Sequence, residues 1–109
     1  ISYCYPKKIT EPLLSTPKKG FINFHPAPLP GYKGPNEMEQ GIKIGGIDWG
    51  VTVHLMDKNY DTGKIIKILK IKLHEPPTST KELAAISHYF LFNLFKDTIN
   101  DIYNEKLKF

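Results

Sequence analysis

The stretch Gly20–Gly34, GFINFHPAPLPGYKG, constrains the fold of this 109-residue chain more than any other. It reads as a short buried strand, Phe21–His25, that stops abruptly in a proline-rich turn. Side chains alternate along a strand, so Phe21, Asn23 and His25 share one face and Ile22 and Phe24 the other. An amide and an imidazole are thereby held side by side on a rigid element, a usual way to position chemistry. Four of the nine prolines and two glycines fall between Pro26 and Pro35, which makes this an ordered irregular loop. Leu29-Pro30 is a candidate cis bond.

Bulk properties restrict the class. The length fits a single domain with a real core. The formal charge is +4, and all fifteen basic residues are lysines. Arginine is the usual residue for bidentate phosphate and base-edge recognition, so its absence argues against a nucleic-acid reader. A mildly basic surface suits an anionic small molecule better. No apolar run is long enough to span a bilayer and no signal peptide is visible, which points to the cytoplasm. The single cysteine, Cys4, lies in an apolar segment and reads as a small buried hydrophobe.

Along the chain, Ile1–Tyr5 is a short strand, and Lys7–Thr16 has moderate helical character interrupted by Pro12. Asn36–Ile44 forms a short helix with Met38, Ile42 and Ile44 inward and Gly45-Gly46 as its stop. Trp49–Met56 alternates as a strand, with Val51, Val53 and Leu55 opposed to Thr52, His54 and Met56. Asp57–Gly63 is a turn-rich loop. Lys64–Leu73 is a half-exposed strand near a sheet edge, its lysines at 64, 67, 70 and 72 forming the wet face. Ser79-Thr80-Lys81-Glu82 is a capping box opening a helix over Thr80–Asn104, with Leu83, Ile86, Phe90, Leu94 and Ile102 on its apolar stripe, widened by Leu91 and Phe95. This order of elements gives an α/β fold with a partly parallel sheet and the last helix on one face.

Each polar candidate has a structural alternative. Asn23 and His25 could simply close a strand and a turn. Asp61 sits before Thr-Gly, where aspartate commonly forms turns, yet its loop follows the alternating strand, and in open α/β sheets the functional crevice lies at strand ends. If that strand neighbours Phe21–His25, Asp61 could approach His25 and set its tautomer and charge. His54 could line the same crevice or be a packed strand histidine. His25, His54 and Asp61 lack the short-spaced ligand pair usual at zinc sites, so no metal is assigned. Nucleotide-binding and serine-hydrolase signatures (P-loop, G-x-G-x-x-G, G-x-S-x-G) are missing from the sequence.

Taken in order, INFHPAPLPGYKG and GVTVHLMDKNYDTGKII resemble the folate-dependent formyltransferases. That family includes the methionyl-tRNA, glycinamide ribonucleotide and sugar-nucleotide N-formyltransferases. Its signature is an N-x-H-P-S/A-x-L-P strand end followed by a D-x-G loop, and the 36 positions between His25 and Asp61 match its spacing. The likeness runs over roughly Ile1 to Ile66.

The resemblance implies a partial Rossmann-like formyltransferase fold, a mixed sheet with a long C-terminal helix, that makes residues 1–109 one partial catalytic domain. Ile1–Tyr5 is then the last strand of a half that precedes it. It also implies N10-formyltetrahydrofolate as formyl donor and an amine as acceptor. Asn23 is expected to donate to the developing oxyanion, His25 to stabilise that oxyanion or shuttle the amine proton, and Asp61 to orient His25. Met56, Asp57, Tyr60 and Asp61 are expected to line the folate pocket, with His54, Pro28, Leu29 and Pro30 as further pocket residues. The HPAPLP wording lies closer to the sugar N-formyltransferases than to the methionyl-tRNA branch, which usually carries SLLP and an arginine-containing run. The expected acceptor is therefore the amine of a nucleotide-linked amino sugar or other small molecule. Nucleic acid and membrane partners are not expected, and homo-oligomer formation stays open. Two other activities fit the same residues: a non-catalytic folate- or ligand-binding remnant, and a formyl-folate hydrolase.

Overall fold

The structure, a computed structural model, describes residues 1–4, 8–18, 20–32, 36–57 and 63–106. Its elements are β1 (Ser2–Tyr3), β2 (Ile22–His25), α1 (Glu37–Ile44), β3 (Asp48–Leu55), β4 (Ile65–Lys72) and α2 (Thr80–Tyr103). The strands form one mixed sheet in the order β1-β2-β3-β4. β1 runs parallel to β2, whereas β2–β3 and β3–β4 are antiparallel. The expected helical character before Pro17 reduces to one 3-10 turn at Leu13–Ser15, next to a cis Glu11–Pro12 bond. Leu29–Pro30 is cis as well.

Alternation in β2 and β3 separates an apolar face from a polar one. Ile22, Phe24, Val51 and Val53 are at most 4% exposed and form the core with α2. Burying side chains of this size contributes about 1.5–3 kcal/mol each relative to exposure. Tyr3, Phe24 and Phe95 meet in edge-to-face and tilted contacts with centroids 5.2–5.7 Å apart, joining β1, β2 and α2.

The buried stripe of α2 is Leu83, Ser87, Leu91, Leu94 and Thr98. It is rotated from the stripe expected on hydrophobicity alone, and Ile102 is 38% exposed. The two polar members are satisfied. Ser87 accepts from Trp49 Nε1 at 2.8 Å and donates to the Leu83 carbonyl at 2.7 Å, and Thr98 donates to the Leu94 carbonyl at 2.7 Å. The N-terminus of α2 is capped by Ser79, whose Oγ accepts from the Glu82 amide at 3.1 Å. Glu82 reaches back one residue further than a standard capping box, to the Thr78 hydroxyl at 3.0 Å. In α1, Met38 and Gly41 face inward, while Ile44, the last residue, is 70% exposed.

β4 is the last strand of the sheet in that order, as its lysines suggest, but they do not share a face. Lys67 pairs with Val53 and Lys70 with Gly50, positions three residues apart on β3 and so on opposite faces. A register shift opposite Val53/His54 adds to the break in alternation. An edge strand permits this, because long lysine stems reach water from either side. No helix among the described residues is long and apolar enough to cross a membrane.

Cys4 is half-buried, with Sγ 3.6 Å from the Phe24 carbonyl. Burial, aided by the Glu37 carboxylate, pushes its thiol up to about 12 from an ordinary 9.0. At pH 8 the folded chain is therefore expected to react with iodoacetamide at least ~100-fold more slowly than the unfolded chain, measured by mass spectrometry. The linked stability effect has one sign. The unfolded thiol ionises first, so the Cys4 contribution is intact below pH 9 and falls as pH rises from 9 towards 12.

Two glycines sit where a side chain cannot. A Cβ on Gly41 would stand 2.7 Å from Leu83 Cδ2 and 2.8 Å from the Trp49 ring, so α1 packs against α2 at backbone distance. A Cβ on Gly63 would strike the Leu55 carbonyl, a backbone group that cannot turn aside. Gly63→Ala should therefore cost more than Gly41→Ala in urea unfolding, with Gly41→Ala at about 1–3 kcal/mol. The reverse ranking would contradict this packing.

Candidate active site

The site is built on the polar face of the β2–β3 pair. Antiparallel register sets Asn23 opposite His54 and His25 opposite Thr52. All four side chains project from the face that α2 does not cover. Asn23 Nδ2 lies 3.2 Å from His54 Nε2, and His54 Nδ1 lies 2.8 Å from the Leu55 carbonyl. His54 is 1% exposed and His25 is 5%, whereas Asn23 is half-buried.

His25 Nε2 lies 2.6 Å from the Tyr32 carbonyl oxygen. A carbonyl only accepts, so this nitrogen carries the proton. Tyr32 reaches that position because the loop after β2 folds back over the sheet. Thr52, fully buried, clamps it: its hydroxyl donates to the Ala27 carbonyl at 2.9 Å and accepts from the Leu29 amide at 3.2 Å. Pro28 closes over Gly50, where an added Cβ would come within 3.3 Å of the proline ring. The prolines fix the loop, and Thr52 ties it down. Sequence reading missed both Thr52 and the Tyr32 carbonyl. Thr52 was visible as the polar residue between His54 and Gly50 on one strand face, but a backbone carbonyl leaves no sequence signal.

β2 and β3 run in opposite directions, so the loop after β3 leaves from the end of the pair where β2 begins. The loop after β3 begins beside the start of β2, with the Met56 amide donating to the Phe21 carbonyl at 2.7 Å. It returns at the same place, where the Leu55 amide donates to the Lys64 carbonyl at 2.8 Å and Gly63 packs on Leu55. His25 lies three residues along β2 from the Ile22–Leu55 pair, about 10 Å at strand rise. Met56 and Asp57 stand half-buried at the loop's start. Tyr60 and Asp61 lie outside the described residues.

The expected pocket residues divide. An open cavity of about 680 Å³ is lined by Pro28, Leu29, Tyr32, Trp49, Ile68 and Lys70, among others. His54 and Pro30 do not line it, and neither do Asn23 and His25. His54 belongs to the polar face instead, and Pro30 is exposed. Among the described residues no group of three or more His, Cys, Asp or Glu side chains could hold a metal ion.

The formyl transferase family model matches residues 1–89. GDP-perosamine N-formyltransferase of Brucella melitensis is 38% identical over 79 residues, covering 72% of this chain and 30% of that protein. The phosphoribosylglycinamide formyltransferase structure from Streptococcus pneumoniae superposes with a TM-score of 0.78 at 27% identity, covering 91% of this chain and 54% of that one. An N-formyltransferase from Helicobacter canadensis, solved with folinic acid and dTDP-3-aminofucose, gives a TM-score of 0.69 at 28% identity, covering 81% and 32%. Methionyl-tRNA formyltransferases are also among the relatives. The chain spans 16–35% of the length of its curated relatives and 32–54% of the matching solved chains. With its Rossmann-like α/β sheet, its long C-terminal helix and a family match over most of its length, this chain belongs to the formyl transferase family.

Proposed function

We propose that the polypeptide carrying this chain transfers a formyl group from N10-formyltetrahydrofolate to the amine of a small acceptor, a nucleotide-linked amino sugar in the first instance. The observation that carries the reading is the juxtaposition on one sheet face of an amide donor, Asn23, and a buried imidazole, His25, held in place by its Nε2–H bond to the Tyr32 carbonyl. Formyl transfer needs both kinds of group. As the amine attacks the formyl carbon, negative charge develops on the formyl oxygen and the amine must lose a proton. Asn23 donates an amide hydrogen to that oxygen, the interaction that is often largest in acyl transfer. His25 stabilises the same charge or carries the amine proton, which ends on the departing folate nitrogen as its bond to the formyl carbon breaks. Asp61 orients and charge-stabilises His25 from the loop after β3. Met56, Asp57 and Tyr60 of that loop line the folate side, for which the folinic acid in the Helicobacter relative is the chemical precedent.

The acceptor class rests on two supports. GDP-perosamine N-formyltransferase is a close sequence relative, and the Helicobacter enzyme was solved with dTDP-3-aminofucose. The chain's basic character without any arginine favours an anionic small molecule over tRNA.

In the full polypeptide, Asn23→Ala is expected to lower kcat by about 10²–10³-fold in an assay of tetrahydrofolate release with an amino-sugar nucleotide as acceptor. His25→Ala and Asp61→Ala are expected to abolish detectable transfer, all three variants keeping the wild-type circular dichroism spectrum. Near-normal turnover in these variants would remove the mechanism. Formate released from N10-formyltetrahydrofolate with no amine present would select hydrolysis. Folate binding without either product would select the binding remnant.

A further inference from the structure

We infer that His54 is a positioning residue that decides which end of the Asn23 amide faces the reacting formyl group. This inference rests on the formyl-transfer reading and adds a residue to it. An asparagine side chain can present either its NH2 or its carbonyl to a ligand, and the two orientations have nearly the same shape. Only one works here: the NH2 stabilises charge on a formyl oxygen, and the carbonyl repels it. Something must break the tie.

The hydrogen-bond chain around His54 breaks it. The Leu55 carbonyl can only accept, so His54 Nδ1, at 2.8 Å from it, carries the ring proton. In the neutral ring this leaves a lone pair on Nε2, aimed at Asn23 across 3.2 Å. Nε2 can then receive only a donor, so the NH2 end of Asn23 turns towards it. The opposite orientation would set the amide oxygen against that lone pair in a site where His54 is 1% exposed and water cannot intervene. The NH2 group has two hydrogens. One is engaged by His54, and the proposal gives the second to the ligand, Asn23 being only half-buried.

The start of the chain is protected too. Gly63 packs directly on the Leu55 carbonyl that fixes the tautomer, where a side chain would displace it. The order of influence is Gly63, the Leu55 carbonyl, His54 and Asn23. It links the glycine ending the loop after β3 to the amide on β2 through a single imidazole.

Two substitutions separate positioning from support. In His54→Gln the side-chain oxygen can occupy the Nε2 position and still accept from Asn23. In His54→Asn the shorter amide reaches only the Nδ1 position and leaves Asn23 without its acceptor. In the full polypeptide, His54→Asn is expected to lower kcat about 10–100-fold with KM for donor and acceptor changed less than about 3-fold. His54→Gln is expected to stay within about 3-fold of wild type. In an Asn23→Ala background neither change should lower kcat further, because the two residues act as one unit. Equal losses in the Gln and Asn variants, or a full loss that persists without Asn23, would reduce His54 to a structural residue and overturn the proposal. A readout independent of activity is long-range proton–nitrogen NMR on the wild-type polypeptide labelled with 15N-histidine. The His54 ring should carry its proton on Nδ1, and an Nε2–H tautomer would overturn the proposal even if the variants do not fold. Normal turnover by Asn23→Ala alone would instead defeat the formyl-transfer reading, while the tautomer result would still report on the Asn23–His54 contact.

Discussion

The antiparallel pairing of β2 with β3 is the constraint on which the rest of this structure depends. Its register places Asn23 opposite His54 and His25 opposite Thr52 while turning Ile22, Phe24, Val51 and Val53 to α2. A slip of one residue would send the amide and both imidazoles into the core and the core side chains into water. The hydrophobic face therefore enforces the polar one. Packing by Phe95, Leu91 and Leu94 of α2 is remote from the chemistry, yet it keeps the polar register in place.

The loops around that face are held by backbone contacts more than by side chains. Thr52 anchors the proline-rich loop through one carbonyl and one amide, which brings the Tyr32 carbonyl to His25. Gly63 lets the loop after β3 close on Leu55, so the segment that carries Asp61 starts and ends next to His54. The two loops arrive from opposite ends of the strand pair. The geometry differs from an open parallel sheet, where ligands gather beyond the carboxyl ends of the strands. Here the polar residues occupy the face of an antiparallel pair.

Much of this was legible in the sequence, for identifiable reasons. Alternation in INFH and in VTVHL states which residues share a face, and the Ser79 cap marks the start of α2 to the residue. The N-x-H and D-x-G motifs in order point to the family without any coordinates. What sequence could not state was strand direction, since alternation is the same for parallel and antiparallel pairing. Nor could it foresee Ser87 and Thr98 inside the apolar stripe of α2, because their hydroxyls are satisfied by carbonyls one turn back. Lysines at 67 and 70 looked like one wet face because edge strands relax the alternation rule. His54 read as a pocket residue, and only the distances to Asn23 and Leu55 distinguish it from a packed strand histidine.

The central claim is that the Asn23–His25 face of the β2–β3 pair is where the formyl group is held. The most direct measurement is a crystal structure of the full polypeptide with folinic acid and an amino-sugar nucleotide bound. The account predicts folate density against the Met56–Gly63 loop, with the Asn23 amide nitrogen turned to the formyl end and the acceptor amine beside His25. Folate bound elsewhere, for example in the cavity beside Trp49 and Lys70 with Asn23 and His25 untouched, would contradict it.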